Sequence, residues 1–267
     1  MFSSKKMTKS KDVLSGSVDR FGYEWNKYSE IIPEYEKQFL GWIFPLKKED
    51  FKGKLVLDAG CGIGRNSFWP LKYGAKKVVG FDFDERTVKV AKKNLESFKN
   101  CQIFHNSIYD INFKNEFDIA FSIGVIHHLA EPRKAIANLV KSVKKRGKVL
   151  IWVYGYENNE WIVKYVNPLR KITSKLPLPI VNLISYAFSI PLYFYLKLFR
   201  QKHPYMKNIS KFRLWHLHSI VFDQLIPKIA NYWKKDEALA LFNNQGLNRV
   251  KIYNVNGNSW SVIGEKI

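Results

Sequence analysis

Residues 54–64 read KLVLDAGCGIG. Lys54 to Asp58 is an apolar run too short for a helix and closed by an acid, the pattern of a buried strand. Gly60, Gly62 and Gly64 follow in a G-x-G-x-G spacing, which differs from the G-x-G-x-x-G turn of dinucleotide enzymes. Glycines placed there allow a turn tight enough for a ligand to approach main-chain N–H groups at a helix start. That helix is predicted over Arg65 to Tyr73, kinked or shortened by Pro70 and stopped by Gly74 at the C′ position. Lys77 to Phe81, KVVGF, reads as a second buried strand closed by Asp82, eighteen residues beyond Gly64. A carboxylate at that place can accept two ribose hydroxyls.

Outward from this core the alternation continues. A helix is expected over Glu85 to Phe98, a strand over Gln102 to His105, a strand over Phe117 to Ile123, a helix over Pro132 to Val143 and a strand over Gly147 to Val153. Strands alternating with helices at this spacing predict an α/β fold with a doubly wound, mostly parallel, seven-stranded sheet. Near the end of the chain, Asp236 to Gln245 reads as a helix stopped by Gly246, and RVKIYNV and SWSVIGEK flank the turn signal Asn256-Gly257. A hairpin there needs a sheet edge, and the large sheet is built before residue 154. The intervening stretch is therefore an insertion. The organisation expected is a basic tail at 1–17, N-terminal lid helices at 18–50, an α/β core at 51–156, a helical insertion at 157–222, and a helix with an antiparallel hairpin at 223–267.

The chain has 267 residues and a formal net charge of +21, and its 46% hydrophobic and 25% charged content excludes disorder throughout. The charge is uneven. From Trp161 to Phe222 there is no Asp or Glu, while ten Lys or Arg carry about half of the net charge. Such asymmetry points to an anionic partner, nucleic acid or a lipid surface. Leu176 to Leu196 holds 21 residues without a charge, long enough to cross a bilayer. Pro177, Pro179 and Pro191 argue against a regular span, so the segment is expected to be an apolar helical pair or hairpin, either capping a site or lying on a membrane surface. Asn182, Ser185 and Ser189 give it a thin polar stripe at helical spacing. Residues 1–17 lack the apolar core of a secretory signal, and the two cysteines, Cys61 and Cys101, suit a reducing compartment better than a disulfide framework. The expected location is cytoplasmic, with a peripheral membrane position open. The Cys/His spacing predicts no metal site, and His216 and His218, two apart, lie on different helical faces.

VLDAGCGIG at 56–64, GFD at 80–82, FDIAFSIGVIHHL at 117–129 with Pro132 after it, and GKVLIWV at 147–153 together resemble the class I S-adenosylmethionine-dependent methyltransferases. RFGYEWNKYSEI at 20–31 and FDQLIPKIANYW at 222–233 are similar to segments of members acting on quinones, sugars or secondary metabolites. The resemblance implies that Asp58 and the backbone from Gly60 through Cys61 and Gly62 to Gly64 hold the methionine end of S-adenosylmethionine. It implies Asp82 on the ribose, Phe83 against the adenine, Ser107 and Ile108 where the family often places an adenine-binding Asp, and Ser122 and Ile123 under the methionine amine. Residues 20–31 would close over the site.

Methyl transfer from a sulfonium needs orientation and exclusion of water more than a nucleophilic side chain. For a hydroxyl acceptor a general base adds roughly 10²–10⁴-fold. His127 and His128 are the candidates; adjacent residues cannot both point inward, and His127 is preferred. The alternative is that both only bond the following loop. Tyr154, Tyr23, Trp25 and Tyr28 are candidates for the acceptor pocket. Three functions remain: methylation of a small or lipophilic acceptor at oxygen or carbon, ribose methylation of RNA, and a non-catalytic module using the insertion as a membrane or partner anchor. Nucleic acid is the less favoured partner: Ser122-Ile123-Gly124-Val125 replaces the Asn/Asp-Pro-Pro-aromatic turn of amino-base methylation, and neither cysteine sits where carbon methylation of a base needs its nucleophile, while ribose methylation stays open.

Overall fold

A computed structural model describes residues 30–202 and 204–267. The expected tail, most of the segment 20–31, and the pocket candidates Tyr23, Trp25 and Tyr28 lie outside the described residues.

The first described helix is α1 (Glu34–Trp42), which sends Phe39 and Trp42 into the core. The α/β unit then runs β1 (Leu55–Ala59), α2 (Arg65–Lys72), β2 (Lys77–Asp82), α3 (Glu85–Asn94), β3 (Cys101–His105), β4 (Phe117–Ile123), α4 (Pro132–Ser142) and β5 (Val143–Tyr154). The insertion contributes α5 (Asn167–Thr173), α6 (Leu178–Leu198), α7 (Pro204–Ile209) and α8 (Leu214–Leu225). The chain closes with α9 (Lys235–Ala240), β6 (Leu247–Val255) and β7 (Ser259–Lys266).

Among the described residues seven strands form one sheet in the order β3-β2-β1-β4-β5-β7-β6. The first five pair in parallel, and β7 runs antiparallel between β5 and β6. Layers on both faces explain why β1, β2 and β4 read as unbroken apolar runs instead of alternating ones. The strand order reverses between β1 and β4, so a crevice opens at their carboxyl ends, where the glycine turn emerges. Asn256 and Gly257 both take positive φ, 55° and 80°, and carry the β6–β7 turn.

Some elements differ from the sequence reading. β5 starts at Val143, which pairs with Phe117, and a positive φ at Arg146 returns the chain to register at Lys148. Pro70 lies inside α2 without ending it. The largest correction is α6, one helix of 21 residues that runs straight through Pro191, where a helical pair was expected. Its packing explains this. Asn182 Nδ2 and Ser189 Oγ meet the two ring nitrogens of His218 on α8 at 3.1 and 3.2 Å, and Tyr186 stacks on the same ring at 3.8 Å. These contacts before Pro191, with Leu196 packed on Ile209 and Leu217 after it, outweigh the helix-breaking cost of about 3 kcal/mol. The boundary expected at 222/223 falls inside α8, which continues to Leu225. At the base of the insertion Tyr156 N–H donates to the Trp233 carbonyl at 2.9 Å and Trp233 N–H to the Tyr154 carbonyl at 3.1 Å, so its two stems meet.

Candidate functional site

The crevice deepens into a cavity of about 580 Å³ that reaches from the glycine turn to the helices of the insertion. Its floor is built by hydrogen bonds between β1 and β2. Gly60 and Cys61 N–H both donate to the Phe81 carbonyl at 2.9 Å, and Gly62 N–H donates to Asp82 Oδ2 at 2.9 Å. Asp84 N–H reaches Asp82 Oδ1 at 3.0 Å. Turn and acid are therefore one rigid unit. Gly60 has φ 79°, and a Cβ there would lie 2.3 Å from Val125 Cγ2, so the β4 loop fixes this glycine. At Gly62, φ 54°, a Cβ would meet nothing within 4 Å, because the position faces open space. Gly64, φ 83°, stands at the N-cap of α2 and does not line the cavity.

Asp58 lies fully buried beneath the turn. Its Oδ2 accepts from Ser67 Oγ at 2.6 Å while Oδ1 has no partner. Burial raises the carboxyl to about 7, with the Asp82 charge adding to the effect and Ser67 and Arg65 opposing it. Burial also raises Asp82, against hydrogen bonds from the backbone N–H groups of Asp84, Gly62 and Phe83. The Cys61 thiol is pushed well up by burial and is inert.

Asp82, Phe83, Ser107 and Ile108 line one half of the cavity, together with Asn106, which the sequence reading did not single out. Ile123 lines it as well, but Ser122 does not. Ser122 is fully buried, and its Oγ donates to the Ala59 carbonyl at 2.8 Å, tying β4 to β1. Gln38, Asn66 and Thr87 were also missed, although each lines the cavity and has a buried side-chain oxygen without a partner. Asn66 stands in the first turn after the glycines, which was the signal available for it. The Arg65 guanidinium is held 4.7 Å over the Tyr35 ring and 5.2 Å over Trp42, at the cavity wall.

The two histidines split as adjacent residues must, in the opposite sense to the expectation. His128 lines the cavity, whereas His127 is fully buried, stacked on Tyr154 at 3.7 Å, with neither ring nitrogen bonded. His128 Nδ1 lies 2.7 Å from the Ile229 carbonyl. A carbonyl only accepts, so Nδ1 carries the proton and Nε2 the lone pair. Burial lowers His128 to about 4, the Arg170 cation adding to it despite the Ile229 carbonyl, so the ring is neutral near pH 7.

Tyr154 lines the far half of the cavity, where Tyr232 stacks on it at 5.3 Å. Buried Arg170 donates to Gln224 Oε1 at 3.1 Å and to the Tyr232 hydroxyl at 3.3 Å. Around this polar knot the insertion supplies apolar walls, among them Leu169, Phe188, Leu192, Met206 and Ile220. Among the described residues no His, Cys, Asp or Glu cluster could hold a metal ion.

The unpartnered oxygens test what the near half fits. Asn66 Oδ1 and Gln38 Oε1 at the cavity wall are acceptors awaiting donors, beside Asp82, while Asp58 Oδ1 is unpartnered beneath the turn and does not line the cavity. A molecule with an ammonium group, two ribose hydroxyls, an amino-purine and a sulfonium supplies that complement, and the residues present fit S-adenosylmethionine.

Residues 57–151 match the family model described as Methyltransferase domain. The chain is 32% identical over 105 residues to a tRNA U34 carboxymethyltransferase of Campylobacter hominis, covering 38% of this chain and 36% of that protein. It is 26% identical over 151 residues to a mitochondrial ubiquinone biosynthesis O-methyltransferase of Schizosaccharomyces pombe, covering 52% and 55%. The chain thus spans between about a third and just over half of the length of these curated relatives. Among solved structures, the magnesium protoporphyrin IX methyltransferase of Synechocystis PCC 6803 with bound SAH superposes with a TM-score of 0.56 at 14% identity, over 97% of this chain and all of that one, a likeness of fold. With its glycine turn, its paired aspartates and this match, residues 57–151 are a methyltransferase domain of the class I, S-adenosylmethionine-dependent family.

Proposed function

We propose that the chain methylates a hydroxyl of a lipophilic small molecule held under the helices of the insertion. The observation that carries this reading is the far half of the cavity: apolar walls from Leu169, Phe188, Leu192, Met206 and Ile220 around the polar groups of Tyr154, Gln224 and Tyr232. Such a pocket binds a mostly apolar body and orients one polar end.

When bound, S-adenosylmethionine supplies an electrophilic methyl carbon. The residues do the rest. Asp82 and the glycine turn hold a nucleoside, Asp58 balances a cation through the turn, and the insertion excludes water. His128 takes the acceptor proton at Nε2, while Nδ1–H stays on the Ile229 carbonyl and fixes the ring. Preorganisation of this kind supplies up to roughly 7–11 kcal/mol of the barrier.

A second reading, methylation of RNA, draws on the +21 net charge and on the tRNA-modifying name of one relative. One experiment separates them. The protein is incubated with radiolabelled S-adenosylmethionine and a cell extract, and the label is followed into organic solvent, water-soluble metabolites or RNA. Label in the organic phase, lost with His128→Ala, is the expected result. Label in RNA alone overturns the lipophilic reading, and failure to bind S-adenosylmethionine, with Asp82→Ala no weaker than the parent, overturns both.

A further inference from the structure

α6 is inside out for a helix in water. Such a helix turns its large apolar side chains to the core and leaves small polar ones outside. Here Ser185 and Ser189 are 0% exposed, whereas Leu183 is 72%, Phe194 57% and Leu198 74% exposed. The covered stripe of Val181, Ser185, Ser189 and Leu196 runs the length of the helix against the rest of the insertion. Polar groups in that stripe are satisfied there, Ser185 Oγ by the Val181 carbonyl at 2.8 Å and Ser189 by His218. Ile172 before the helix and Phe199 after it are large apolar side chains that are exposed as well.

Charge frames this face. Lys171 and Lys175 stand exposed before its N-terminus, and Lys197, Arg200 and Lys202 stand exposed at its C-terminal end. No Asp or Glu occurs from Trp161 to Phe222. An apolar strip between basic ends, with no acid to repel phosphate, is complementary to the surface of an anionic bilayer.

We propose that this face docks the protein on an anionic membrane, with α6 lying in the plane of one leaflet. Leu183, Phe194 and Leu198 enter the acyl boundary, and the flanking Lys and Arg meet headgroup phosphates. At 21 residues α6 is long enough to span, but two features forbid it. One side is covered from Val181 to Leu196 by the rest of the insertion, Val181 against Phe222 and Leu225 of α8 and Leu196 against Leu217 of α8 and Ile209 of α7. Both flanks are tied to the same body: Thr173 Oγ1 donates to the Leu225 carbonyl at 2.7 Å, and Lys197 Nζ to the Ser210 carbonyl at 2.7 Å. Phe188 of α6 and Trp161 each line the cavity while about half exposed, at 48% and 51%. The cavity and the docking face therefore share a wall, and a lipophilic acceptor enters from the leaflet. This last point rests on the function proposed above; the docking itself does not.

The test sediments the full chain with phosphatidylcholine vesicles with and without phosphatidylglycerol, and measures S-adenosylmethionine affinity by calorimetry on the same samples. The expected result is binding to the anionic vesicles alone, weakened by salt. Leu183→Glu with Phe194→Glu loses it by about tenfold or more, and Lys171→Gln and Lys175→Gln each cost about fivefold. All these variants keep the parent affinity for S-adenosylmethionine, which shows that they fold. Parent protein that binds S-adenosylmethionine yet stays in the supernatant overturns the proposal and spares the methyltransferase reading. So does a dimer, by light scattering, that the double variant splits while vesicles capture neither. Vesicle binding without S-adenosylmethionine binding supports docking and sinks only the function proposed above.

Discussion

Ser67 Oγ donates to Asp58 Oδ2 at 2.6 Å in a place where neither residue has any exposed surface. It leaves Oδ1 open beneath the glycine turn. Since burial raises this carboxyl to about 7, a cationic ligand above it has to draw off the proton. The dissociation constant for S-adenosylmethionine is therefore expected to fall as pH rises toward 7, by up to tenfold per unit, and to level off above it. Calorimetry across that window checks this, and Asp58→Asn should abolish the pH dependence. The unliganded protein shows the linked effect. The folded value of about 7 exceeds the ordinary 3.8, so the native state holds a proton that the unfolded chain has released, and stability declines as pH climbs between the two values.

His128→Ala is expected to lower kcat by roughly 10²–10⁴ with little change in cofactor affinity. His127→Ala should do the reverse. It empties a buried site against Tyr154 and costs stability of about 2–4 kcal/mol, by denaturant titration, while most of kcat survives. Because His128 sits near 4, the rate at saturating cofactor should be flat through neutrality and drop only in acid. A kcat profile falling below pH 7 would assign the base elsewhere.

Gly60→Ala places a methyl 2.3 Å from Val125 Cγ2 and should cost a few kcal/mol together with cofactor binding. Val125→Ala in the same chain clears the clash and is expected to restore part of both. About 1 kcal/mol of backbone strain at φ 79° remains. Melting temperatures of the two single variants and the double variant measure the coupling.

His218→Ala removes the ring that Asn182, Ser189 and Tyr186 share. A loss of about 2–5 kcal/mol is expected. Limited proteolysis should open the insertion first and leave the sheet protected, since the clamp joins α6 to α8 and touches no strand.

The sheet could be read from the chain because its signals are local: KVVGFD is a buried strand wherever it stands, and an acid at its end marks the crevice. Asp82, Phe83, Ser107 and Ile123 reach the cavity for the same reason, each standing in or just beyond the carboxyl end of a strand. What escaped depends on distant partners. The choice between His127 and His128 is made by a carbonyl at Ile229, 101 residues away. Ser122 faces the Ala59 carbonyl, a matter of strand pairing. Pro191 announced a break, and α6 ignored it because a buried imidazole on another helix grips it. Gln224 and Tyr232 gave no motif at all, for they gain meaning only where they meet Arg170.

The meeting of the stems at Tyr156 and Trp233 makes residues 157–232 a cassette. Chain enters and leaves it through one doorway beside β5, so evolution can rewrite the acceptor-binding half, wholesale, while the machinery that grips the methyl donor keeps every strand register it has.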